Sequence, residues 1–256
     1  MEQLTKFSAN LGFLWTELLL PDAVRAAHKA GFHAVECHWP YTTSVNDLNA
    51  AIAETGLEML GLNTSRGNTE AGENGLSALP NRQLDARVAI DEAIAYATAT
   101  NIANIHVMAG FASGPDAHKI FIENLRYATS QAAPQNITIL IEPLNRHDAP
   151  NYFLQTTNQA ISIIKEVAAL NLKLMFDCYH VGRTEGDVTT RIRALLPHIG
   201  HIQFASVPDR GAPDHGELNY KHIVQDIANI GYTAPLGAEY KPNGPTKDTL
   251  DWMKLL

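Results

Sequence analysis

ILIE at 139–142, LMFD at 174–177, HIQF at 201–204 and LGAE at 236–239 are four short apolar runs, each with a polar side chain in its last two positions. Strands of a parallel sheet are covered on both faces and read as nearly continuous apolar runs. A polar group at the end of such a run therefore needs a reason. Glu142, Asp177, Gln203 and Glu239 stand about 35, 26 and 36 residues apart, close to the ~30 residues of one βα unit. That spacing puts three carboxylates and an amide on the same rim of consecutive parallel strands, and it predicts a (β/α)8 TIM barrel, an α/β fold.

Outward from these runs the pattern repeats eight times. Strands are predicted at Phe7 to Leu11, Ala34 to Cys37, Leu57 to Asn63, Asn104 to Met108, Thr138 to Glu142, Leu172 to Asp177, His201 to Phe204 and Leu236 to Glu239, each followed by a predicted helix. Ala23, Ala26, Ala27 and Ala30 form one apolar helical stripe, and Ala160, Ile163, Ile164 and Val167 another. Ala86, Ile90, Ala93, Ile94 and Ala97 repeat the spacing, as do Tyr220, Ile223, Val224 and Ile227. Gly31, Gly56 and Gly231 follow such runs as helix stops. Two connections after strands, Thr64 to Pro80 and Val207 to Glu217, are long, polar and glycine-rich. Strand-to-helix loops open on the active face of a barrel, which makes both candidates for a lid and for specificity.

A single domain over residues 1–256 fits this length, which is enough to bury roughly three quarters of the unfolded surface. With 45% hydrophobic and 18% charged residues the chain reads as folded and globular. A net charge of -8 argues against a nucleic-acid partner. Cys37 and Cys178 are too few for a disulfide framework, and Met1 to Phe7 lacks the apolar centre of a signal peptide. No run approaches the ~18 apolar residues of a membrane span. A cytoplasmic location, no membrane partner and room for a homo-oligomer are the expectations.

Three carboxylates crowded in a low-dielectric mouth would repel one another unless a cation held them ionised. Each alone is explained by a helix N-terminus or a neighbouring arginine, but four on consecutive strands point to a divalent metal. The oxygen-rich set favours Mg2+ or Mn2+, with zinc second. Around them, His180 can donate to a substrate oxygen or relay a proton. Arg210 suits a substrate carboxylate, with Lys241 to assist. Asn63 and His106 end neighbouring strands and complete the candidate substrate-binding groups. Glu36 is read as an outer ion-pair partner, Cys178 as inert packing, and His28, His118 and His222 as surface or packing groups.

The motifs SANLGFL (8–14), AGENGLSALPNR (71–82), ENLRYA (123–128), IEPLNRHD (141–148), FDCYH (176–180), HIQFASVPDRGAPDHGELNY (201–220) and AEYKP (238–242) resemble the hydroxypyruvate isomerase family of the xylose-isomerase-like barrels. The resemblance spans essentially the whole chain. It implies isomerisation of hydroxypyruvate to tartronate semialdehyde, or the same aldose-ketose shift on 2-dehydrotetronate. It places the metal ligands on Glu142, Asp177, Gln203 and Glu239, and proton transfer on Glu142 and Glu239. The related sugar 3-epimerases usually carry histidine where Gln203 stands. Ala205-Ser206 replaces a usual Ala-Asp pair, and LNTSRG replaces an HN-type ending of the third strand; these departures bear on substrate identity. The alternatives are a ketose or keto-acid 3-epimerase, a metal-dependent phosphodiester hydrolase of the apurinic endonuclease type, disfavoured by charge and ligand set, a non-catalytic sugar-acid binding module, and an inosose-type dehydratase.

Overall fold

A computed structural model describes residues 5–256, so part of the stretch read for a signal peptide lies outside the described residues. The strands are β1 (Phe7–Asn10), β2 (Ala34–Glu36), β3 (Glu58–Met59), β4 (Gly61–Asn63), β5 (Asn104–His106), β6 (Thr138–Ile141), β7 (Leu172–Asp177), β8 (Ile199–Phe204) and β9 (Leu236–Ala238). The helices are α1 (Leu20–Lys29), α2 (Val45–Thr55), α3 (Gln83–Thr100), α4 (Gly114–Ala132), α5 (Thr157–Val167), α6 (Cys178–Thr184), α7 (Val188–Leu195) and α8 (Tyr220–Asn229).

All the strand pairings between these elements are parallel, in the order β3-β2-β1-β9-β8-β7-β6-β5-β4. First and last strands pair, and the two ends of the order, β3 and β4, are halves of one predicted strand broken at Leu60. The break does not open the barrel. Leu60 donates to the Val35 carbonyl at 2.7 Å, and Cys37 donates to the Gly61 carbonyl at 3.1 Å. The Leu60 carbonyl is taken by the side-chain amide of Asn104 at 2.6 Å. The result is the predicted eight-stranded barrel with one interrupted strand.

Gly56 ends α2 at φ 69°, and Gly31 and Gly231 follow α1 and α8 at φ 92° and 85°. These are left-handed conformations that glycine adopts without steric cost. After β9 the expected helix is absent. Pro242 and Pro245 lack the N–H that a helix needs, Gly244 at φ 103° lies outside the helical region, and two 3-10 turns, Thr246–Thr249 and Asp251–Lys254, take its place. Trp252 in the second turn is fully buried and sets its ring against Phe7 (5.1 Å) and Phe204 (5.4 Å). It covers the outer face of β1 and β8 as a helix would. No helix among the described residues is long and apolar enough to cross a membrane.

The long connection before α3 is stitched to the segment that follows β5. Thr64 donates to the His106 carbonyl at 2.9 Å and Ala78 to the Ala109 carbonyl at 2.8 Å, and Gly75 pairs with Ala109. A side chain at Gly75 would sit 2.7 Å from the Met108 carbonyl oxygen and 2.8 Å from the Gly110 nitrogen, so only glycine permits this approach. The loop expected as a lid is a fastened wall over this part of the barrel mouth.

Candidate active site

Strand alternation sorts the side chains that reach the mouth. Asp177 and Gln203 are register partners on β7 and β8. Gln203 is paired in turn with Gly237, two residues before Glu239, and Glu142 follows directly on β6. All four polar groups are buried. Glu142, Asp177, His180 and Glu239 each offer a ligand atom, and these atoms lie within 4.8 Å of one another. Gln203 joins them, its amide nitrogen 3.4 Å from Glu239 Oε1.

Asp177 serves two elements at once. Its Oδ1 accepts the Tyr179 N–H at 2.8 Å as the N-cap of α6, leaving Oδ2 facing the cluster. Glu239 is the most heavily bonded member. Its Oε1 accepts Asn10 Nδ2 at 2.9 Å and lies 3.0 Å from His38 Nε2, while its Oε2 is paired with Arg210. Glu142 has only distant neighbours, His106 Nδ1 at 3.6 Å from Oε2 and His180 Nε2 at 3.8 Å from Oε1.

Arg210 adopts a left-handed backbone conformation at φ 59°. Its guanidinium lies over the rings of Phe13 (4.7 Å) and Tyr179 (5.1 Å), the side chain 14% exposed, and it reaches within 3.9 Å of Asp177 Oδ2. The cation expected to hold substrate is thus engaged with the carboxylates themselves. Lys241 is not brought in: its side chain is exposed, and its main-chain N–H donates to the Arg210 carbonyl at 2.7 Å. Asn63 and His106 are register partners on β4 and β5 and line a small cavity beneath the mouth together with Gln203. Glu36 is an ion-pair partner, 2.7 Å from His201 in the barrel interior.

Burial pushes Glu142 well above the ordinary carboxylate range, reinforced by the charges of Glu239 and Asp177. Asp177 is raised to about 7 by burial and by Glu239, against the opposing pull of Arg210. Burial acts on Glu239 in the same sense, but Arg210 and the His38 hydrogen bond overcome it and hold that group at about 2. Burial lowers His180 to about 3 and His106 to about 4, which keeps both rings neutral. Two neighbouring glutamates with proton affinities driven apart are suited to acid-base work.

Glu142 Oε1, Asp177 Oδ2 and Gln203 Oε1 are buried and have no hydrogen-bond partner. Desolvated oxygens of this kind are costly unless something binds them. Three such oxygens beside Glu239 fit a hard divalent cation. Residues that the sequence reading passed over also belong to the site: Asn10 and His38 on Glu239, and Asn145, whose N–H donates to His180 Nδ1 at 2.9 Å.

A family model described as xylose isomerase-like TIM barrel matches residues 24–256. The chain belongs to that family. A 2-oxo-tetronate isomerase of Cupriavidus necator is 41% identical over 253 residues, covering 97% of this chain and 97% of the relative. A hydroxypyruvate isomerase of Escherichia coli is 37% identical, covering 97% and 98%. These relatives are isomerases. A solved structure described as AP endonuclease, family 2, from Brucella melitensis superposes with a TM-score of 0.94 at 35% identity, covering 98% of each chain.

Proposed function

We propose that this chain is a metal-dependent aldose-ketose isomerase of small 2-oxo acids, interconverting hydroxypyruvate and tartronate semialdehyde or carrying out the same shift on 2-oxo-tetronate. The observation that carries this reading is the buried arc of Glu142, Asp177, Gln203 and Glu239 on four successive strands, with a glutamate at each end and unpartnered oxygens between. Full-length relatives named as isomerases of these two acids support it.

Glu142, Asp177, Gln203 and Glu239 would hold the ion, Mg2+ or Mn2+ by the hardness of the donors. When bound, it supplies polarisation of the carbonyl and adjacent hydroxyl oxygens of the substrate, which acidifies the C–H between them. Of the two glutamates, one takes the proton from the hydroxyl-bearing carbon, leaving an enediolate, and a glutamate returns a proton to the neighbouring carbon. The second proton passes between the two substrate oxygens, and no oxidant is required. Asn10 and His38 fix the Glu239 carboxylate in place for this exchange. Arg210 Nε is buried and has no acceptor, so it is the N–H free for a substrate carboxylate while the terminal nitrogen grips Glu239. The fastened 64–80 loop helps to exclude water from the intermediate.

The test is hydrogen exchange in D2O with added Mn2+ or Mg2+, over a panel of three- to six-carbon hydroxy-carbonyl acids and neutral ketoses. Wild type should exchange and isomerise a short 2-oxo acid. Glu142→Gln and Glu239→Gln should each fall by at least about a hundredfold, the lower end for a lost general base, while still binding the ion. A variant that exchanges faster than that removes its glutamate from proton transfer. Inverted configuration without a carbonyl shift would make the chain an epimerase. Incision of abasic-site DNA with no exchange on any acid would favour an endonuclease, the activity named in the description of the Brucella structure.

A further inference from the structure

On distance alone His180 belongs with the carboxylates as a metal ligand. The hydrogen bonds on the other side of its ring argue against this. Nδ1 receives the main-chain N–H of Asn145 at 2.9 Å, and a peptide N–H can only donate. The Asn145 side chain is oriented without ambiguity, because its Oδ1 accepts two further main-chain N–H groups, those of His147 and Asp148, both at 3.0 Å. Its NH2 therefore faces His180 Nδ1 at 2.8 Å and Asp148 Oδ2 at 3.0 Å. Asp148 Oδ2 also accepts the Tyr179 hydroxyl at 2.7 Å, which closes the frame around the fully buried Asn145.

With two donors aimed at Nδ1 there is no place for a hydrogen on it. The ring hydrogen of the neutral imidazole then sits on Nε2. This atom looks into the cluster, 3.6 Å from Asp177 Oδ2 and 3.8 Å from Glu142 Oε1, and has no hydrogen-bond partner. A ring nitrogen that carries hydrogen has no lone pair to give a cation.

We propose that Asn145 is a positioning residue that holds His180 as its Nε2–H tautomer, keeping the imidazole out of the metal's ligand set and making it a hydrogen-bond donor to a substrate oxygen. The substrate half of this statement rests on the isomerase reading; the tautomer does not. A donor fixed in advance beside an oxygen that gains negative charge in the enediolate binds the transition state more strongly than the substrate.

Nitrogen NMR of 15N-histidine-labelled, Mg2+-loaded protein tests the tautomer directly, with the His180 signals identified by their loss in His180→Gln. The expected pattern is a pyridine-type Nδ1 and a pyrrole-type Nε2. The reverse pattern, or an Nε2 signal displaced by direct coordination, would overturn the proposal whatever the enzyme turns over. Asn145→Asp replaces the NH2 with an oxygen, which should draw a proton to Nδ1 and lower kcat about ten- to a hundredfold, the range for orienting groups around a metal site. In the His180→Gln background the same substitution should cost no more than about twofold, since the two side chains act as one unit. Fully multiplicative losses would show that Asn145 acts through something other than His180. Should Asn145→Asp fail to fold, the wild-type spectrum alone decides. Absence of turnover on every acid would instead count against the isomerase reading and leave the tautomer result standing.

Discussion

Replacing Arg210 by methionine removes a largely buried cation and keeps most of its apolar stem. In the absence of metal that guanidinium is the positive charge set against Glu239 and close to Asp177. Breaking one side of a buried pair typically costs about 3–5 kcal/mol, because the other charge stays desolvated. Here the lower end is expected, since Glu142 and Asp177, both raised in pKa, relieve the repulsion by taking up a proton. A divalent ion supplies the missing charge in the same place. The loss measured by urea unfolding should therefore be about 3 kcal/mol in chelator and clearly smaller in saturating Mn2+. An ion at a hundred times its Kd stabilises a fold by about 2.7 kcal/mol, and the variant should gain more than wild type because no guanidinium competes for Glu239. Equal losses with and without Mn2+ would refute the idea that arginine and ion neutralise the same carboxylates. An unchanged stability in chelator would refute the pair itself.

In chelator, wild-type stability should fall as pH rises from about 6.5 to 8. Asp177 binds a proton more tightly folded, at about 7, than unfolded at about 3.9, whereas His106 and His180, held neutral in the fold, oppose it only below the ordinary histidine value of about 6.5; above that value the folded state holds more protons and loses its advantage as they leave. Unfolding midpoints across this window check the sign, and a rise in stability there would exclude it. Gly237→Ala would bring a Cβ to 2.3 Å from Glu36 Oε1 and 2.9 Å from both Gln203 Cγ and His201 Nε2. A stability loss of about 1–3 kcal/mol with weakened Mn2+ binding is expected through displacement of Gln203, and a variant with normal metal affinity would show that the amide is not a ligand.

The order of strands and helices was legible because apolar runs and helical stripes alternate along the whole chain, and the rim residues were legible because Glu142, Asp177 and Glu239 break an apolar run where it ends. What escaped notice obeys the same alternation one step further. Asn10 and His38 lie two residues beyond the buried inward groups Ser8 and Glu36, on the same face of their strands, and so reach Glu239. Reading polar residues at alternate positions, with a strand allowed to run one residue longer, would have found both. Arg210 was found, but not its attachment to Glu239, because that depends on a left-handed turn at a residue other than glycine. The role of Asn145 depends on a main-chain N–H, which every residue but proline possesses and no sequence pattern marks. The last helix was expected from the rhythm of the fold, although prolines at 242 and 245 already argued against it.

At the break in the barrel wall one carbonyl is held by a side chain where its neighbours are held by peptides: the Leu60 oxygen takes the amide of Asn104. The two strands stay paired through their main chains beside it, Gly61 to Asn63 with Asn104 to His106. A residue without the amide at position 104 would therefore leave the ladder in place and one carbonyl bare, at a cost of about 1–3 kcal/mol. Substitution by anything but proline leaves a peptide hydrogen bond intact; at this position of the wall it can remove a bond that closes the break.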